Sequence, residues 1–134
     1  MPVGNYDGQI RRIEVLGGRE IKASPVYNYI TNGITLDGSK FANGELVLEG
    51  TCLVKDNTTG KYEKYKETTA GTFEPGKSNP VILDQSVKFE LKDSGGNADR
   101  IVGQVLVRAD VYQGMLIGWT QAFQDKLSGA IRIL

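Results

Sequence analysis

The chain has 134 residues, with sixteen Lys plus Arg against sixteen Asp plus Glu, no histidine and a single cysteine. That length suits one domain with a modest core and leaves no room for a separate catalytic domain. Zero net charge gives no field to gather nucleic acid, acidic substrates or an anionic membrane, the missing histidine removes the common triads, most zinc sites and the usual neutral-pH proton shuttle, and a lone Cys52 cannot close an internal disulfide.

Met1 to Glu14 contains no apolar run of signal-peptide length, and no stretch of about 18 apolar residues suggests a membrane span, so synthesis in a cytosol is expected. Ile10, Ile13 and Val15, with Arg11, Arg12 and Glu14 between them, form a short strand pattern that Gly17-Gly18 ends. Pro25 precedes a second extended piece, Val26 to Ile30. A lone strand needs a partner. Residues 1–33 lack the strand-and-turn rhythm that follows and are read as an N-terminal arm; residues 34–134 form the domain. Two readings of the arm stand side by side: an edge strand of the same domain, or a segment disordered until it pairs with a partner's sheet edge.

Beyond residue 34 the turn marks are Asn43-Gly44, Asn57 to Gly60, Pro75-Gly76, Gly95-Gly96-Asn97 and Gln113-Gly114. Between them lie β-rich segments: Leu46 to Leu48, Thr51 to Val54, Lys61 to Tyr65, Val81 to Leu83, Val87 to Leu91, Gln104 to Val111 and Ala130 to Leu134. Val87, Phe89 and Leu91 alternate with Lys88 and Glu90. Val105, Val107, Ala109 and Val111 alternate with Leu106, Arg108 and Asp110, which predicts strands with one wet face. Cys52 reads as a small strand residue rather than a nucleophile. One short helix is predicted after an N-cap at Thr120, through Gln121 to Leu127, ending at Gly129, with Phe123 and Leu127 on its buried side. Trp119 covers the same seam. For Met115, Leu116 and Trp119 core packing is the first reading and a subunit contact the second, because Met and aromatic residues are enriched at interfaces.

Gly71 to Ser78 matches G-x-x-x-x-G-K-[ST] letter for letter, yet a phosphate cradle needs a buried strand before it and a helix after it. Upstream is polar, and Pro80 with Val81-Ile82-Leu83 downstream suits a strand, so a turn is predicted. Asp93 to Asp99 carries alternating oxygens but has Ala98 and Gln104 where a calcium loop needs Gly and Glu. Asn57-Thr58-Thr59 is a sequon read as a hairpin loop. Lys61-Tyr62-Glu63-Lys64-Tyr65-Lys66 interleaves rings and bases as single-strand nucleic-acid grooves do, and it supports a small nucleic-acid-binding β-barrel module as the alternative function. Glu63, Glu67 and the neutral chain weigh against it. Asp84, Asp93, Asp99 and Asp110 could pair for acid and base work, but each stands beside a turn or on a strand's polar face. No enzyme, cofactor, metal or small-molecule substrate is predicted.

The order of segments resembles the lambda-type head decoration proteins that stabilise tailed-phage capsids. The resemblance rests on Phe41 to Thr51 followed by Cys52-Leu-Val-Lys55, the loop Asp56 to Tyr62, Pro80 to Asp84, the turn Asp93 to Asp99, Val102 to Val111 and the terminal Leu127 to Leu134. It implies a mainly β, β-clip-like domain with one short helix near the C-terminus and an extended N-terminal arm. It further implies a homotrimer on the outside of the expanded capsid, a structural virion role, and the major capsid protein as partner. Tyr6, Ile10, Arg11, Arg12, Ile13 and Val15 are then the expected capsid-binding residues, carried over by position.

Overall fold

Across the described residues glycine turns and β-branched runs divide the chain as predicted; the Gly95-Gly96-Asn97 turn and the end of the 87–91 segment lie outside them. The computed structural model, which describes residues 20–89, 98–127 and 131–134, is mainly β. Its strands are β1 (Asn28–Tyr29), β2 (Ile34–Leu36), β3 (Leu46–Val47), β4 (Cys52–Asp56), β5 (Tyr62–Lys64), β6 (Lys77–Leu83), β7 (Val87–Lys88), β8 (Arg100–Val102), β9 (Val105–Val111) and β10 (Ile131–Ile133). The larger sheet runs β1-β9-β6-β4-β5-β2-β8, with β10 also beside β9, and β3 and β7 form a separate ribbon. Two pairings are parallel, β2 with β5 and β10 with β9.

Both faces of the sheet are covered. Leu53, Val81, Leu83 and Val105 point into a first core that the β3-β7 ribbon closes with Val47, Val87 and Phe89. The rings of Phe41 and Phe89 stack there with centroids 4.4 Å apart. Their strand neighbours Cys52, Val54, Ile82 and Leu106 point into a second core, shared with Ile21, Phe123, Leu127 and Ile131. Period-two alternation therefore sends apolar residues both ways in the central strands.

The predicted wet face of β9 is corrected by this arrangement, because Leu106 is fully buried. The alternation itself breaks within the strand. Asn28 pairs with Arg108 but Tyr29 with Leu106, so β9 carries an extra residue at Val107. That bulge re-aims the strand. Val105 and Val107 face the first core, while Leu106, Ala109 and Val111 all reach the second. A second bulge lies in β6, where Lys55 pairs with Ser78 but Leu53 with Val81. Asn79 sits there at φ +50, in a region that Asn tolerates, and Pro80 follows it. An interior strand admits proline only at such an interruption.

The helix α1 (Gln121–Lys126) has the predicted cap: Thr120 Oγ1 accepts from Phe123 N at 3.1 Å, and Phe123 is fully buried. The sequon is the predicted hairpin turn between β4 and β5, with Thr58 N donating to Asp56 Oδ1 at 2.8 Å.

The expected division at residue 33 needs correction. Ile21 is fully buried in the second core, Lys22 pairs with Val111, Ala23 N donates to Asp110 O at 2.8 Å, and β1 lies along β9. Residues 20–30 therefore answer to the edge-strand reading. The reason is β9, whose outer edge would otherwise expose main-chain groups beside a buried Leu106.

Candidate functional site

The predicted capsid-binding residues Tyr6, Ile10, Arg11, Arg12, Ile13 and Val15 lie outside the described residues. So do Asp93 and Asn97 of the calcium-like turn. Met115, Leu116 and Trp119 are half-buried and pack against the second core, and Trp119 Nε1 donates to Gln124 Oε1 at 2.9 Å. The exposed apolar groups of this region are others. Tyr112 and Ile117 flank the 3-10 turn Gln113–Met115, and Leu134 lies beside Tyr112, since Ile133 pairs with Val111. Local sequence pattern does not assign which side chains of this stretch turn inward.

Among the described residues Asp84 is the most deeply placed carboxylate with identified partners, and it was expected beside a turn or on a strand's polar face. Its side chain is 3% exposed, and Oδ2 accepts from both Lys22 Nζ at 2.8 Å and Tyr29 Oη at 2.6 Å. Burial pulls the Lys22 ammonium down, but the bond and charge of Asp84 outweigh it and hold Lys22 above its ordinary value. For Tyr29 burial and the bond to Asp84 act together and raise the phenol. The cluster pins residues 22–29 to the end of β6. Both donors to Asp84 Oδ2 come from the chain itself.

The remaining carboxylates also work as ties. Asp99 accepts from Gly38 N at 2.8 Å and pairs with Lys61 at 2.7 Å, while Asp110 pairs with Arg132 at 3.3 Å. Glu67 Oε2 accepts from Tyr65 Oη at 2.6 Å and Thr120 Oγ1 at 2.7 Å, which joins the loop after β5 to the helix cap. Cys52 is buried, and burial pushes its thiol up to about 12, so it packs as predicted. Among the described residues no group of three or more His, Cys, Asp and Glu could hold a metal ion, and no helix is long and apolar enough to cross a membrane.

The P-loop match resolves as a turn: Lys77 opens β6 rather than a helix, and its ammonium meets Asp56 at 3.2 Å and Glu63 at 3.3 Å. The basic-aromatic strand loses its rings to the interior. Tyr62 belongs to the first core and Tyr65 to the second, while Lys61 and Lys64 pair with Asp99 and Glu45. Little remains there on which a base could stack.

Comparison with protein-family models, curated proteins and solved structures gives no match. The chain's own geometry must carry the functional argument.

The feature that geometry singles out lies where the sheet forks. β6 pairs with β9 only at Ile82 and Leu83, whereas β10 joins β9 from Ala109 onward. Between them opens a groove of about 440 Å³, with Val107, Ile30 and Ile131 on its walls and Asn79-Pro80 at its lip. Both bulges border it. Pro80 ahead of Val81-Ile82-Leu83 is the sequence signal for the β6 bulge, whereas the β9 bulge is defined by pairing register and not by composition.

Proposed function

We propose that the protein is a structural virion component that binds the outside of an expanded phage capsid as a trimer, contacts the major capsid protein, and stabilises the shell against internal DNA pressure. One observation supports this best: of the segments that carry the resemblance, 52–55, 80–84, 102–111 and the terminal one contribute strands to a single sheet, while 41–51 holds β3 of the separate ribbon. Asp56 to Tyr62 is the turn between β4 and β5, Pro80 to Leu83 lies in β6, Val102 to Val111 spans the end of β8 and all of β9, and the terminal segment closes as β10 beside β9.

The physical role is clamping. A sheet with apolar cores on both faces resists shear, and contacts repeated by threefold symmetry add through effective concentration, so each can be weak. Exposed apolar groups on the strands and loops, among them Ile101 at 77% and Val26 at 73%, are available for such contacts.

The test is co-sedimentation of the purified protein with expanded and unexpanded shells, followed by heating of the loaded shells. Saturable binding to expanded shells and a raised disruption temperature are expected. No occupancy on expanded shells would refute the proposal. A chain beginning at Glu20 keeps every contact described above; if it occupies shells like the full chain, residues 1–19 have no part in the mechanism.

A further inference from the structure

We propose that the groove between β6 and β10 is a binding site for an extended, acidic peptide segment of a partner protein, taken up beside the open edge of β6. This site stands independently of the capsid reading, and its volume falls within the range of about 300–1,000 Å³ usual for ligand clefts.

Three observations combine. First, β6 is paired with β4 from Lys77 to Ile82, yet on the β9 side only from Ile82, so Lys77 to Pro80 have no strand beside them there among the described residues. An extended chain gains main-chain hydrogen bonds along such an edge, where Pro80 supplies its carbonyl and no N–H. Second, the groove is apolar within, lined by Ile30 and Val107 from the first core and Leu127 and Ile131 from the second. Alternate side chains of a bound segment would find an apolar wall to either side. The bulges of β6 and β9 both border the fork, and such interruptions gather beside functional sites. Third, the groove is bordered by an ammonium that has no carboxylate partner among the described residues. Lys126 Nζ stands 5.5 Å from the Phe73 ring centroid, whereas Lys77, which also lines the groove, is engaged by Asp56 and Glu63. That difference selects an acidic side chain beside Lys126. The exposed amide of Asn79 can bond to the passing backbone.

The experiment uses the full chain and two short blocked peptides, one alternating valine and glutamate and the other valine and lysine. Fluorescence anisotropy gives affinity, and amide chemical shifts give location. Saturable binding of the Val-Glu peptide is expected, with shifts at Ser78, Asn79 and Val107, and Lys126→Glu should weaken it about fivefold. Lys126→Gln, a milder change at an exposed helix end, should weaken it less. Absence of saturable binding, equal affinity for both peptides, shifts confined to other surfaces, or an unchanged affinity in Lys126→Glu would each overturn the proposal. So would binding seen only when the chain begins at Glu20, because the protein's own N-terminal residues would then be the occupant. Failure here leaves shell binding untouched.

Discussion

Lys22 Nζ and Asp84 Oδ2 lie 2.8 Å apart and tie the strand that edges β9 to the end of β6. Since Tyr29 donates to the same oxygen, Asp84→Asn would leave a mostly buried ammonium with only the exposed Glu20 carboxylate, 3.4 Å away, as counter-charge. Breaking such a pair from one side costs about 3 kcal/mol. The urea midpoint should fall accordingly with an unchanged slope, and Lys22→Met should cost less when Asp84 is already Asn than when it is not. Additive losses would mean that the two groups are energetically separate.

The same cluster predicts alkaline weakness. Lys22 and Tyr29 both sit above their ordinary values of 10.5 and 10.0, so above pH 10 the folded form holds more protons than the unfolded one. Their contribution is whole below that pH and is lost as pH rises. Tyr65, pushed up to about 12 by burial and by its bond to Glu67, adds in the same direction. Denaturation midpoints measured between about pH 8 and 12 should therefore fall on the alkaline side, and the fall should be shallower in Tyr29→Phe.

Gly50 is required by both backbone and space. Its φ is +95, and a Cβ there would collide with the Met115 carbonyl oxygen. Gly50 N also donates to Leu83 O, and its carbonyl accepts from Ile117 N, so the segment cannot retreat. Gly50→Ala should cost about 2–4 kcal/mol, seen as a lowered melting temperature. Gly44, at φ +71 with nothing within 4 Å of its Cβ position, is the control: Gly44→Ala should cost only about 1 kcal/mol.

What could be read from the sequence was local. The Thr120 cap, the Asp56 to Tyr62 hairpin and most strands follow from residues within a few positions of one another. What escaped depends on distant partners. Asp84 meets a lysine 62 residues earlier, and Ile21 is a lone apolar residue whose burial is decided by the far side of β9. The face reversal in β9 is invisible until Asn28 and Tyr29 set the pairing. The groove is a step further removed, since it needs two bulges, in strands far apart in sequence, to fall on either side of one fork.

Residues 20–33 are predicted to be indispensable for folding, unlike a removable arm. Deleting 1–33 would strip Ile21 from the second core, remove both partners of Asp84 and bare the outer edge of β9. Loss of a buried Ile side chain alone costs about 2–5 kcal/mol, and the unpaired carboxylate adds to it. Against a domain stability of about 5–15 kcal/mol the deletion should leave an unfolded or aggregating chain, because an exposed edge beside Leu106 also invites pairing between molecules. A chain beginning at Glu20 should instead give a dispersed amide spectrum and a cooperative melt. Equal dispersion in both truncations would place residues 20–33 outside the folding unit.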